Sequence, residues 1–193
     1  MNRQIHWDSP HELNAYRLLE CNPSVTHFAD QPCVIHYRLG DKDYHHFPDI
    51  FVRTSISEAL WEIKILENAK EPEVVARTAL MKEKLSEYGY EYCVVLGEDL
   101  AREPRLQNAR WLLRYGRSPL SFEQLEYVRR LFTSKRSLIW QDVVNGFHKP
   151  FTMQQACRLV LDGILHLNLE EKFGPTTTLS KIPGSSLFGG HNG

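Results

Sequence analysis

The chain has 193 residues, of which 42% are hydrophobic and 11% aromatic, enough to bury a core and to form one large domain or two small ones. A formal net charge of −1 excludes a protein held on nucleic acid by counterion release alone, so a DNA-acting chain of this composition needs something else to bring it there. No run approaches the roughly 18 to 20 apolar residues that span a bilayer, and Met1-Asn2-Arg3-Gln4-Ile5-His6-Trp7 lacks the apolar stretch of a signal peptide, so a cytoplasmic protein with no membrane contact is expected.

Ser9-Pro10-His11-Glu12 opens a helix to about Glu20: serine caps, proline suits the first helical position, and Glu12 stands where a capping box has its glutamate. Short runs at 25–29 and 33–39, the turn Gly40-Asp41-Lys42-Asp43 and the aromatic, β-branched run 44–53 predict an antiparallel meander. Strand 59–66, a helix over 73–88 and a buried apolar strand at 92–96 follow. The order implies a mixed α/β sheet. A helical segment at 99–115 is interrupted by Pro104, and Gly116-Arg117-Ser118-Pro119 reads as a linker. Beyond it, helical patterns at 122–132, 137–145 and 152–161 and a β-pair of 164–169 with 176–182 predict a small winged-helix-like domain. The expected division is therefore 1–116, 117–183 and a flexible glycine-rich tail, 184–193. Cys21, Cys33, Cys93 and Cys157 form no C-x-x-C pair and are expected as reduced core residues.

Strand alternation places the candidate chemistry. In Phe47-Pro48-Asp49-Ile50-Phe51 the aspartate shares a face with Phe47 and Phe51 and is expected to point inward. In Leu60-Trp61-Glu62-Ile63-Lys64-Ile65-Leu66, Glu62 and Lys64 share a face with Leu60 and Leu66, while Trp61, Ile63 and Ile65 line the other. Buried charge is costly unless it is paired or coordinates a metal. Metal-assisted phosphodiester cleavage supplies a reason for it: Mg²⁺ takes one or two carboxylates, here Asp49 and Glu62, with the Ile63 carbonyl as a third ligand. Lys64 then positions or helps deprotonate the attacking water and offsets charge building on the phosphate. The alternatives are a turn aspartate beside proline and an ion pair on a solvated edge strand.

Pro48-Asp49, then residues 50–61, then Glu62-Ile63-Lys64 resembles the PD-(D/E)xK nuclease signature. Together with Ser9-Pro10-His11-Glu12, Val25-Thr26-His27-Phe28-Ala29-Asp30-Gln31-Pro32 and Tyr44-His45-His46-Phe47-Pro48-Asp49, the stretch Ser9–Leu66 resembles the N-terminal domain of the TnsA family, the endonuclease subunits of heteromeric transposases. The resemblance implies a restriction-endonuclease-like mixed sheet flanked by helices, and Mg²⁺- or Mn²⁺-dependent cutting or nicking of one strand of double-stranded DNA at a transposon end. It also implies an integrase-type transposase subunit and an ATPase regulator as partners. It makes Glu12 a helix-borne catalytic acid and metal ligand, against its capping role; Ala15, Tyr16 and Leu19 on the same stripe favour a face turned to the sheet. Rival expectations are a stand-alone phage-processing or defence nuclease of the same fold and a non-catalytic adaptor bridging DNA or protein.

His45 and His46 are adjacent and so point to opposite faces, which argues against a joint zinc site; both read as surface or DNA-facing groups. Gln31, His45 and Arg77 are candidate DNA or phosphate contacts, with a turn bond for Gln31 and a solvated helix side for Arg77 as alternatives. Gln154, Gln155 and Arg158 on the last helix could read DNA, though protein contact or packing ranks above that. Leu187-Phe188 in the tail could dock on a partner, a disordered end being the alternative.

Overall fold

The sheet of the first unit is assembled from strands whose apolar residues face both ways. In the computed structural model, which describes residues 9–183 and 185, the chain divides into two units, one formed by 9–19 with 24–102 and the other by 20–23 with residues from 103 onward. The first begins with helix α1 (Pro10–Glu20), where the Glu12 N–H donates to Ser9 Oγ at 3.2 Å. Strands β1 (Val25–Asp30), β4 (Ile50–Thr54), β5 (Glu58–Lys64) and β6 (Tyr90–Leu96) form a sheet in the order β1-β4-β5-β6. The pairs β1–β4 and β4–β5 are antiparallel and β5–β6 is parallel, reached through the short α2 (Leu66–Ala69) and the long α3 (Pro72–Ser86). A short α4 (Gly97–Leu100) follows β6.

One core joins Ala15, Tyr16 and Leu19 of α1 to Phe28, Ile50 and Ile63 of the sheet. A second joins Leu60 and Tyr92 to Met81 of α3. The mixed α/β character expected from the element order is present, with helices against the sheet, but the meander is not: β2 (Ile35–Leu39) and β3 (Lys42–His46) form their own two-stranded ribbon, and β1 pairs with β4 instead. The run expected as one strand over 44–53 breaks at Phe47-Pro48, because proline has no N–H for a ladder. The ribbon closes at Gly40, whose φ of +61° is the left-handed conformation glycine adopts without strain. Strand β6 lies at the sheet edge with only Tyr92 buried, so it is less enclosed than an apolar run implies.

The second unit contains α5 (Arg105–Tyr115), α6 (Phe122–Ser134), β7 (Ser137–Ile139), α7 (Trp140–Val144), α8 (Met153–Leu161), β8 (Leu165–His166) and β9 (Thr178–Lys181). Its strands form a sheet in the order β7-β9-β8. The predicted helix over 137–145 therefore starts as a strand, and the predicted terminal pair is shorter than expected. The unit also begins earlier than the linker at 116–119: α5 belongs to it, with Asn108 Nδ2 donating to the carbonyls of Leu169 and Glu171, both at 2.8 Å. Gly116 is a packing residue, since a Cβ there would lie 2.9 Å from the Cys157 carbonyl carbon and 3.0 Å from the Arg158 nitrogen. Gly116→Ala should accordingly cost about 1–3 kcal/mol of stability through overpacking against backbone, read as a lower urea midpoint at unchanged slope.

Cys21 and Cys157 are buried and burial pushes both thiols up to about 12, but Cys33 is exposed, because it lies in the irregular stretch before β2. Among the described residues no helix is long and apolar enough to cross a membrane. The predicted tail and its Leu187-Phe188 pair lie outside the described residues, except Ser185, whose Oγ is 2.7 Å from the Ile182 carbonyl and 3.1 Å from that of Ile164.

Candidate functional site

Asp49 sits just before β4, held by the sheet on both sides: its N–H donates to the Trp61 carbonyl and its own carbonyl accepts from Gln31 N–H, each at 2.9 Å. Gln31 makes that bond with a φ of +36°, a left-handed conformation uncommon for a residue with a side chain. Its backbone thus supports Asp49, in line with the turn-bonding alternative. Asp49 Oδ2 accepts from the Ile63 N–H at 2.6 Å, which fixes the Ile63 peptide beside the carboxylate while the Ile63 side chain stays in the core. Phe47 shows that alternation was not what turned Asp49 inward: it lies outside the strand and is 57% exposed. Burial raises the Asp49 pKa from 3.8 to about 6, the Ile63 bond opposes it, and the charges of Glu62 and Glu12 add to it.

Glu62 is 3% exposed and points toward the α3 side of the sheet. Its Oε1 takes Lys64 Nζ at 2.6 Å and Arg77 Nη2 at 3.1 Å; its Oε2 lies 3.3 Å from His46 Nε2. That same nitrogen is 2.8 Å from Tyr92 Oη. Burial lowers the His46 pKa despite the Glu62 charge, and burial first, then Glu62, raises that of Tyr92. A neutral imidazole therefore meets a protonated phenol, and the Tyr92 hydroxyl can donate to Nε2. Arg77 also interacts with Tyr37 and Tyr92, and its Nε is buried without a hydrogen-bond partner.

Alternation along β5 brings Glu62 and Lys64 together, the Ile63 N–H bond adds Asp49, and the strand ends at Lys64, leaving Ile65 and Leu66 exposed. The Glu12 N–H is capped by Ser9 Oγ at 3.2 Å, its carboxylate accepts from the same hydroxyl at 2.9 Å, and it is close enough for its charge to act on Asp49. Arg77 turns out to lie behind Glu62, with its side chain 14% exposed, rather than on a solvated helix side. His45 is exposed on the ribbon, its ring edge-on to His36 at 4.5 Å. Its neighbour His46 is not a surface group but a buried one; it and Tyr92 are the site residues that sequence reasoning missed. The available signal for His46 was period-2 alternation in β3, which puts it on the face of Tyr44, opposite His45. In the second unit, Gln155 closes a capping box with Thr152 and Arg158 pairs with Asp162, so of the candidate contacts on α8 Gln154 is the exposed one.

Chemically, the donor set suits a hard divalent cation: two carboxylates of which Asp49 has committed one oxygen, with an ammonium beside them. The geometry is not a closed cage. Among the described residues no three His, Cys, Asp or Glu side chains are grouped to hold a metal, and the Glu62 oxygens are directed at Lys64, Arg77 and His46. Comparison with protein-family models finds no match, and comparison with curated proteins finds none.

Proposed function

We propose that the chain is a metal-dependent DNA endonuclease of the PD-(D/E)xK type, resembling the TnsA family, that cuts or nicks one strand at a transposon end. The observation that carries this is the placement of Asp49, Glu62 and Lys64 at one end of β4 and β5, with the half-buried Asp49 carboxyl raised chiefly by desolvation and further by its acidic neighbours. Two carboxylates side by side offer hard oxygen ligands to a divalent cation, which would supply Lewis-acid activation of the phosphodiester. Asp49, Glu62 and the Ile63 carbonyl would hold the ion, with Glu12 as a further acidic group. Lys64 would orient the attacking water and face the phosphate.

On this reading the first unit is a restriction-endonuclease-like domain. The second, with its order α6-β7-α7-α8-β8-β9, is a winged-helix-like domain. The capping of Gln155 and pairing of Arg158 favour protein contact over base reading there. The near-neutral charge agrees with recruitment to DNA in the cytoplasm by an integrase-type recombinase and an ATPase regulator rather than by independent binding.

In a plasmid-nicking assay with Mg²⁺ or Mn²⁺, alone and with candidate partner subunits, the wild-type chain should cut while Asp49→Ala and Lys64→Ala remain folded and do not. Cutting by either variant would overturn the assignment. The engagement of Glu62 Oε1 by two protein cations favours a second reading, a non-catalytic adaptor that keeps these groups as a structural polar core. A wild-type chain that binds no Mn²⁺ in a titration selects that reading.

A further inference from the structure

The two cations on Glu62 differ in how they are held. Arg77 comes from the middle of α3, is 14% exposed, and is set against Tyr37 and Tyr92. Its planar guanidinium is always charged and loses little freedom in a fixed position. Lys64 is the last residue of β5 and is 28% exposed, a compact ammonium on a flexible four-carbon stem that can swing toward solvent. Both converge on one oxygen, Oε1, whereas Oε2 meets, among the described residues, a histidine nitrogen.

We infer that Lys64 is a place-holding cation on Glu62 that a divalent ion displaces, while Arg77 is the permanent counter-ion that keeps the carboxylate in position. The inference rests on the metal-dependent reading above. A carboxylate as enclosed as Glu62 requires a compensating positive charge at all times. With Lys64 and Arg77 set against Asp49 and Glu62, the metal-free cluster is already close to neutral, and added positive charge repels the more mobile of the two cations. Displacement moves the Lys64 ammonium from the buried carboxylate to the open side of the cluster, where a phosphodiester would approach. No covalent bond changes; one ion pair is exchanged for another.

Acylation of lysines in the intact chain, read residue by residue by mass spectrometry, tests this without any cleavage step. Saturating Mn²⁺ should raise labelling of Lys64 about threefold or more, as expected when an ion-paired amine is freed, while the exposed Lys70 and Lys82 stay constant. In a calorimetric Mn²⁺ titration, Lys64→Met should bind about tenfold more tightly than wild type, the scale of losing one partly buried competing ion pair. Arg77→Met should bind more weakly, and Arg77→Lys should recover part of the loss. Unchanged Lys64 labelling while Mn²⁺ is bound, or equal or weaker binding by Lys64→Met, overturns the inference and leaves the metal reading standing. A wild-type chain that binds no Mn²⁺ removes both. If Arg77→Met does not fold, the wild-type labelling and Lys64→Met decide.

Discussion

Asp49→Asn is expected to lower metal-dependent nicking at least about 100-fold, because even residues that only support metal ligands typically contribute 10- to 100-fold, and yet to make the protein more stable above pH 6. The sign follows from the direction of the shift. The Asp49 carboxyl ionises at 3.8 ordinarily and at about 6 in the fold, chiefly because of burial. The folded state therefore holds the proton more tightly, and the stability this adds is complete below pH 3.8 and lost as the pH rises through about 6. Asparagine keeps an oxygen for the Ile63 N–H and carries no charge to desolvate. Allowing for the solvent that still reaches the group, the gain should be about 1 kcal/mol at pH 7.5, vanishing by pH 3.5. Melting temperatures of the two proteins across that range measure it; a variant less stable than wild type at pH 7.5 would falsify the desolvation argument.

The other carboxylate of the pair is expected to behave in the opposite way. Glu62→Ala removes the anion that Lys64 and Arg77 share and leaves the mostly buried guanidinium without its main counter-charge. Removing one partner of a buried ion pair typically costs about 3–5 kcal/mol, a large part of the roughly 5–15 kcal/mol that holds a domain together. Glu62→Gln should cost less, since an amide oxygen can still accept from Arg77. Urea unfolding distinguishes these outcomes. A loss below about 1 kcal/mol for the alanine variant would mean the cluster is screened like a surface pair. Together the two carboxylates divide the work: Glu62 is stabilised in place by protein charges, whereas Asp49 is held against its own ionisation, the situation of a group positioned for something other than stability.

The pair Glu62 and Lys64 was legible in the chain because period-2 alternation is a local rule: within one strand it sets the two on a common face, whatever packs against that face. The α1 stripe of Ala15, Tyr16 and Leu19 was legible for the same reason, at helical period. Asp49 reached its expected place by a different route, a pair of backbone bonds to Trp61 and Gln31, because Pro48 had already ended the strand in which alternation would have operated.

What the chain determined unaided was therefore its local order: a capped first helix, a charged interruption in an apolar strand, and alternation that sends His45 and His46 to opposite faces. Tertiary structure decided what those faces meet. Only the parallel β5–β6 crossover brings Arg77 of α3 and Tyr92 of β6 to Glu62, and only the ribbon's separation from the main sheet delivers His46 to the same carboxylate. The unit boundary ahead of α5 was decided in the same way, by hydrogen bonds from Asn108 to carbonyls distant in sequence. Periodicity specifies the direction in which a side chain points; which charge waits there depends on contacts between residues far apart along the chain, and no local pattern encodes them.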